Sequence, residues 1–178
     1  FYIRMDKKGL KNIENKEPVI FVGNHQSFLD GFIVNQSLPN RVLDRTCFFA
    51  KSKHFQKGYM KFMGENSNII LVDINKNLVN SMQLLGKAFK MGYNIVIFPE
   101  GTRTRDGKMG TFKKFFAILS KELNIPVVPF VIDGAYDLYP PSAKYPHSGK
   151  LSVKFLEKVY PDENLSYEEF AEKIRGII

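Results

Sequence analysis

Apolar runs of strand length recur near residues 19–23, 47–51, 69–73, 94–98, 126–132 and 151–156, and stretches of helical spacing lie between them. This alternation restricts the chain to an α/β arrangement, read as a mixed, largely parallel sheet flanked by helices. Leu78, Val79, Met82, Leu85, Ala88 and Phe89 recur at helical spacing and stop at Gly92; Phe112, Phe115, Phe116, Leu119 and Leu123 form a second stripe. Ser166 and Glu169 make a capping box ahead of Phe170 and Ile174. These stripes are read as core, and the last strand and helix as closing the sheet edge. With 178 residues, 44% of them hydrophobic, the chain can bury a substantial core, and no Pro/Ser-rich linker or internal repeat divides it. A single domain over 1–178 is expected.

The run Val19-Ile20-Phe21-Val22 leads directly into Asn24-His25-Gln26-Ser27-Phe28-Leu29-Asp30, and Gly31-Phe32-Ile33-Val34 then reads as the first turns of a helix. Five residues along a regular helix is about 500° of rotation, so His25 and Asp30 can meet only across a strand-to-helix turn. There the carboxylate would accept a hydrogen bond from one ring nitrogen, fix the tautomer and leave the other nitrogen as a base. Asp30 as a plain helix N-cap is the alternative.

A second strand, Asn94-Ile95-Val96-Ile97-Phe98, ends in Pro99 and then presents Glu100, Gly101, Thr102 and Arg103. Gly101 lets backbone N–H groups approach a ligand, Thr102 adds a hydroxyl, and Arg103 offers a fork suited to phosphate, with Arg105 and Lys108 nearby. A solvated basic turn has the same composition. A P-loop is excluded, because five residues separate Gly101 from Gly107-Lys108 and Met109 stands where a Ser or Thr would bind magnesium.

Together, Asn24-His25-x4-Asp30 and Phe98-Pro99-Glu100-Gly101-Thr102-Arg103 resemble the glycerophospholipid acyltransferase family typified by lysophosphatidic acid acyltransferase. The resemblance extends through Ala50-Lys51, Gly58, Gly64 and Ile69-Ile70-Leu71-Val72-Asp73, and through Ile125-Pro126-Val127-Val128-Pro129-Phe130, so it covers almost the whole chain. It implies a glycerol-phosphate acyltransferase-like fold and the transfer of a fatty acyl group from acyl-CoA or acyl carrier protein to the free hydroxyl of a lysophospholipid, first of all 1-acyl-glycerol-3-phosphate. His25 is then the general base, Asp30 its orienter, and Glu100, Gly101, Thr102 and Arg103 the phosphate site, with Asn24, Ser27, Lys51 and Lys76 as auxiliary candidates. One position departs from the pattern: Ile74 follows Asp73 where the family carries an arginine, and Lys76 or Lys51 could replace the charge.

No cofactor beyond the thioester co-substrate is implied, and no covalent acyl-enzyme is required. Cys47, the sole cysteine, sits in an apolar strand and reads as a core residue. Ser27 lacks a Gly-x-Ser-x-Gly setting and reads as a partner of local backbone. Two roles remain open for Glu100, positioning the acceptor or holding Arg103 in an ion pair. His54 and His147 have no partners at metal-ligand spacing, so no metal is expected.

The net charge of +8, concentrated in 41–61 and 103–121, calls for an anionic partner. Thioester-donor phosphates, a lysophospholipid and an anionic membrane surface all qualify. Phe55, Tyr59, Met60, Phe62 and Met63, interleaved with Lys51, Lys53, Lys57 and Lys61, suit a membrane interface and equally a core-packing helix with a lysine face. Nucleic acid is not expected, since no zinc pattern, RNP-like strand or recognition helix is seen; an inactive lipid-binding or nucleic-acid-binding module is the rival reading. The apolar runs fall short of the ~20 residues that span a bilayer. The expected location is the cytoplasmic face of a membrane, peripheral or held by a segment outside this chain, which opens at Phe1 without an initiator methionine.

Overall fold

A computed structural model describes residues 2–14, 17–51, 69–72 and 77–178. Its strands are β1 (Ile3–Lys8), β2 (Ile20–Gly23), β3 (Thr46–Lys51), β4 (Ile69–Val72), β5 (Asn94–Ile97), β6 (Val127–Asp133) and β7 (Gly149–Phe155). Its helices are α1 (Asp30–Ser37), α2 (Asn40–Leu43), α3 (Leu78–Lys90), α4 (Phe115–Leu123), α5 (Ala135–Leu138) and α6 (Tyr167–Ile177), with a 3-10 turn at Leu10–Ile13. The strands form one sheet in the order β1-β7-β6-β2-β5-β3-β4, parallel throughout except between β6 and β7. The fold is thus α/β, with a mostly parallel sheet flanked by helices.

The pleat of the strands sorts their side chains onto two cores. Phe21, Val96, Val128, Phe130 and Ile132 face one layer, where they meet Ile33 and Val34 of α1 and Phe155. Ile20, Val22, Ile95, Ile97 and Val127 face the other, against Leu85 and Phe89 of α3, Phe116 and Leu119 of α4, and Phe170 and Ile174 of α6. Apolar runs without polar alternation are what a sheet covered on both faces requires. The capping box opens α6, where Ser166 accepts the Glu169 N–H and Glu169 accepts the Ser166 N–H.

Three expectations change. Leu78 and Val79 belong to α3 but are 43% and 64% exposed, so the buried stripe of that helix is Ser81, Leu85 and Phe89. Phe112 is buried ahead of α4 instead of within it. The last strand does not close the sheet: β7 lies between β6 and β1, and β1 forms the edge. The sequence Ile3-Arg4-Met5-Asp6-Lys7-Lys8 lacks an apolar run because an edge strand needs only one partner, and charge there discourages further pairing.

The connectivity places a crevice. From β2 the chain runs through α1 and α2 to β3, beyond β5, whereas from β5 it runs through α4 to β6, beyond β2. Neighbouring parallel strands whose connections leave in opposite directions open a gap at their carboxyl ends, the usual ligand position in such sheets. The register Val22↔Ile97 then brings the third residue past each strand pairing, His25 and Glu100, to the same level.

Candidate active site

His25 leaves β2 and Asp30 opens α1, so the two side chains meet across the intervening turn. His25 Nδ1 lies 2.7 Å from Asp30 Oδ2, and the same oxygen accepts the backbone N–H groups of Gln26 (2.6 Å) and Ser27 (2.8 Å). Asp30 is fully buried, and its position in the first turn of α1 favours a negative charge. A carboxylate only accepts hydrogen bonds, so a neutral ring that donates from Nδ1 to Asp30 would leave the Nε2 lone pair available. Asp30 Oδ1 is buried without a hydrogen-bond partner among the described residues. The His25 ring is the bonded group that can bring positive charge to this carboxylate.

The ring is held on its face as well. His25 stacks on Phe98, with centroids 4.6 Å apart, Phe98 meets Phe130 edge-on at 5.9 Å, and Phe130 packs on Phe155. This column depends on Gly23, because a Cβ there would lie 2.2 Å from the Phe130 ring. Glycine at the end of β2 therefore admits the aromatic stack that supports the histidine.

Glu100 binds both sides of the crevice. Its Oε1 accepts the His25 N–H at 2.7 Å and its Oε2 accepts the Gly110 N–H at 2.8 Å. It forms no ion pair with Arg103 among the described residues, which excludes that one of its two expected roles. Both oxygens serve backbone amides, and the buried carboxylate acts as a brace in the site's frame. Asn24 braces a second junction, where its side-chain amide donates to the Ile132 carbonyl and accepts the Ile132 N–H, both at 2.8 Å, tying the end of β2 to β6.

The sequence profile described as Acyltransferase matches residues 4–133. The chain belongs to the acyltransferase family. Among the curated members, a chloroplastic 1-acyl-sn-glycerol-3-phosphate acyltransferase of Brassica napus is 27% identical over 78% of this chain and 40% of its own length. The alpha form of the human enzyme of that name is 26% identical over 97% of this chain and 62% of its own length. The chain thus spans from two fifths to three fifths of these relatives. The crystal structure of the 1-acyl-sn-glycerophosphate (LPA) acyltransferase PlsC from Thermotoga maritima matches with a TM-score of 0.80 at 26% identity, covering 98% of this chain and 69% of that one.

On this acyltransferase frame, Gly101 turns the chain at φ 72° and leads to Thr102 and Arg103, which are both exposed. The Arg103 guanidinium lies 5.8 Å from the centroid of Phe28, an exposed ring three residues past His25. A cavity of about 110 Å³ is lined by His25 with Gln26, Thr104 and Lys108, and one of about 240 Å³ by Thr102, Arg103 and Arg105, again with Thr104 and Lys108. Lys51 ends β3, while Lys76, the 52–68 segment with its aromatic and lysine pattern, and Asp73-Ile74 lie outside the described residues.

The two rejected nucleophiles are placed by the same geometry. Cys47 is buried in β3, and burial pushes its thiol pKa up, away from the reactive thiolate. Ser27 is fully buried; its hydroxyl donates to the Tyr139 carbonyl at 3.1 Å and accepts the Leu29 N–H at 3.3 Å. Among the described residues, no group of three or more His, Cys, Asp or Glu side chains could hold a metal ion, and no helix is long and apolar enough to cross a membrane. Sequence reasoning passed over Gly23, Thr104 and the brace formed by Glu100. Only Gly23 left a signal, a glycine at the end of an otherwise apolar strand.

Proposed function

We propose that this domain transfers a fatty acyl group from a thioester to the free hydroxyl of 1-acyl-glycerol-3-phosphate, with His25 as the general base. The observation that carries this reading is the 2.7 Å bond from His25 Nδ1 to the buried Asp30, made by a ring that lines a cavity. His25 Nε2 takes the acceptor's hydroxyl proton as the oxygen attacks the thioester carbonyl. Asp30 stabilises the resulting imidazolium. Collapse of the tetrahedral intermediate breaks the carbon–sulfur bond, and the imidazolium returns the proton to the departing thiolate. The products are an ester and a free thiol, with no acyl-enzyme and no bound cofactor.

Gly101, Thr102 and Arg103 hold the acceptor's phosphate, and the names of the relatives support that acceptor. The donor is acyl-CoA or acyl carrier protein. The excess of basic side chains suits work against an anionic membrane surface on its cytoplasmic face. Thioester consumption by the full-length protein, with both donors offered against lysophospholipids and glycerol phosphate, tests the reading. Consumption that depends on 1-acyl-glycerol-3-phosphate is expected; none with any acceptor overturns it.

A further inference from the structure

The acceptor read above carries its free hydroxyl and its phosphate on adjacent glycerol carbons. When the hydroxyl faces His25, the phosphate must lie within one glycerol unit of the base. Arg103 lines the larger cavity, whereas His25 lines the smaller one. Lys108 lines both. Its ammonium makes no ion pair or hydrogen bond among the described residues. By contrast, the carboxylates on the same walls are already engaged: Glu100 accepts two backbone amides, and Asp106 accepts the Lys108 N–H at 3.1 Å and the Thr104 hydroxyl at 3.0 Å. Those bonds, the Lys108 amide first among them, hold the Asp106 carboxyl below the usual aspartate range, and the charge of the Lys108 side chain adds a smaller share.

The turn carrying Lys108 is fastened to the candidate base. The Thr104 N–H donates to the His25 carbonyl at 2.9 Å, and Thr104 and Lys108 both bond to Asp106. From the other side the Tyr136 hydroxyl donates to the Arg105 carbonyl at 2.9 Å, and Gly107, at φ 81°, packs under the Tyr136 ring. A long cationic side chain thus leaves a backbone held in register with His25. A lysine on such a turn serves a phosphate as a point charge, where arginine would serve it as a fork.

We propose that Lys108 contacts the acceptor's phosphate at the junction of the two cavities, as a second cation beside Arg103. This rests on the acyl-transfer reading and makes its acceptor site specific for a phosphate monoester. A dianionic monoester can engage both cations, whereas a choline phosphodiester brings one negative charge fewer and a cation of its own.

The test compares Lys108→Gln and Lys108→Arg with wild type in the full-length protein, reading acceptor and donor KM with lysophosphatidic acid and an acyl thioester. Lys108→Gln is expected to raise the acceptor KM about tenfold to a hundredfold. Donor KM should stay unchanged, the preference over lysophosphatidylcholine should shrink, and Lys108→Arg should recover most of the loss. An acceptor KM within about twofold of wild type in Lys108→Gln, alongside a raised value in Arg103→Gln, overturns the role of Lys108 while leaving the reaction in place. A rise confined to the donor KM overturns it too. Wild-type turnover in His25→Ala would instead remove His25 as the base, and with it the geometry on which this proposal rests, while no turnover in wild type would remove the acyl-transfer reading itself.

Discussion

Glu100 Oε1 accepts the backbone N–H of His25 at 2.7 Å, so a buried carboxylate from the loop after β5 fixes the main chain that carries the candidate base. Because Oε2 holds Gly110 in the same way, one side chain sets the width of the crevice between two loops. Glu100→Ala leaves two partly buried amides without acceptors, at a cost of about 1–3 kcal/mol. A lowered unfolding midpoint together with reduced kcat is expected. Glu100→Gln keeps one carbonyl acceptor and should fall between the two. Denaturant titration and steady-state kinetics on the same preparations check this.

Asp30→Asn removes the charge that faces the imidazolium while keeping the size of the side chain. Its carbonyl can still accept the Gln26 or Ser27 N–H, so the turn should persist while the His25 tautomer loses its constraint. A fall in kcat of about 10²–10⁴ is expected, the range of general acid–base contributions. Circular dichroism should show the fold retained.

Gly23→Ala is expected to act at a distance. The added methyl would meet the fully buried Phe130 ring, which supports Phe98 and through it His25. Overpacking of this kind costs about 1–3 kcal/mol. Thermal unfolding should detect it, with a loss of kcat larger than any change in acceptor KM.

The α/β alternation and both strand-end motifs were legible because apolar strand-length runs and their terminating Pro, Gly and polar residues are local signals. The meeting of His25 with Asp30 could be argued from helix geometry, since a regular helix cannot bring residues five apart onto one face. Other features depend on residues distant in the chain. Glu100 bonds an amide 75 positions away, and β1 is a strand only because β7 lies beside it. A polar hexapeptide such as Ile3–Lys8 carries no periodic mark of that pairing. The exposed Leu78 and Val79 illustrate the converse: helical spacing identifies a stripe, but packing decides how much of it is buried.

Glu17 gives a prediction in pH. The hydrogen bond from Lys158 Nζ at 2.5 Å, aided by the Tyr160 hydroxyl at 3.1 Å, holds its carboxyl below the ordinary glutamate value of 4.5. A carboxyl depressed in the folded state adds stability that is complete above its unfolded value and is lost as pH falls through the folded one. The small advantage of wild type over Glu17→Gln should therefore hold near neutrality and disappear on acidification below 4.5. Unfolding midpoints across that range check it.

The central measurement is acceptor-dependent thioester consumption in His25→Ala against wild type, at saturating acyl-CoA and 1-acyl-glycerol-3-phosphate, with unfolding midpoints recorded for both. General-base chemistry at His25 predicts a loss of at least about 10²-fold with the fold retained. Turnover equal to wild type in the variant would contradict it.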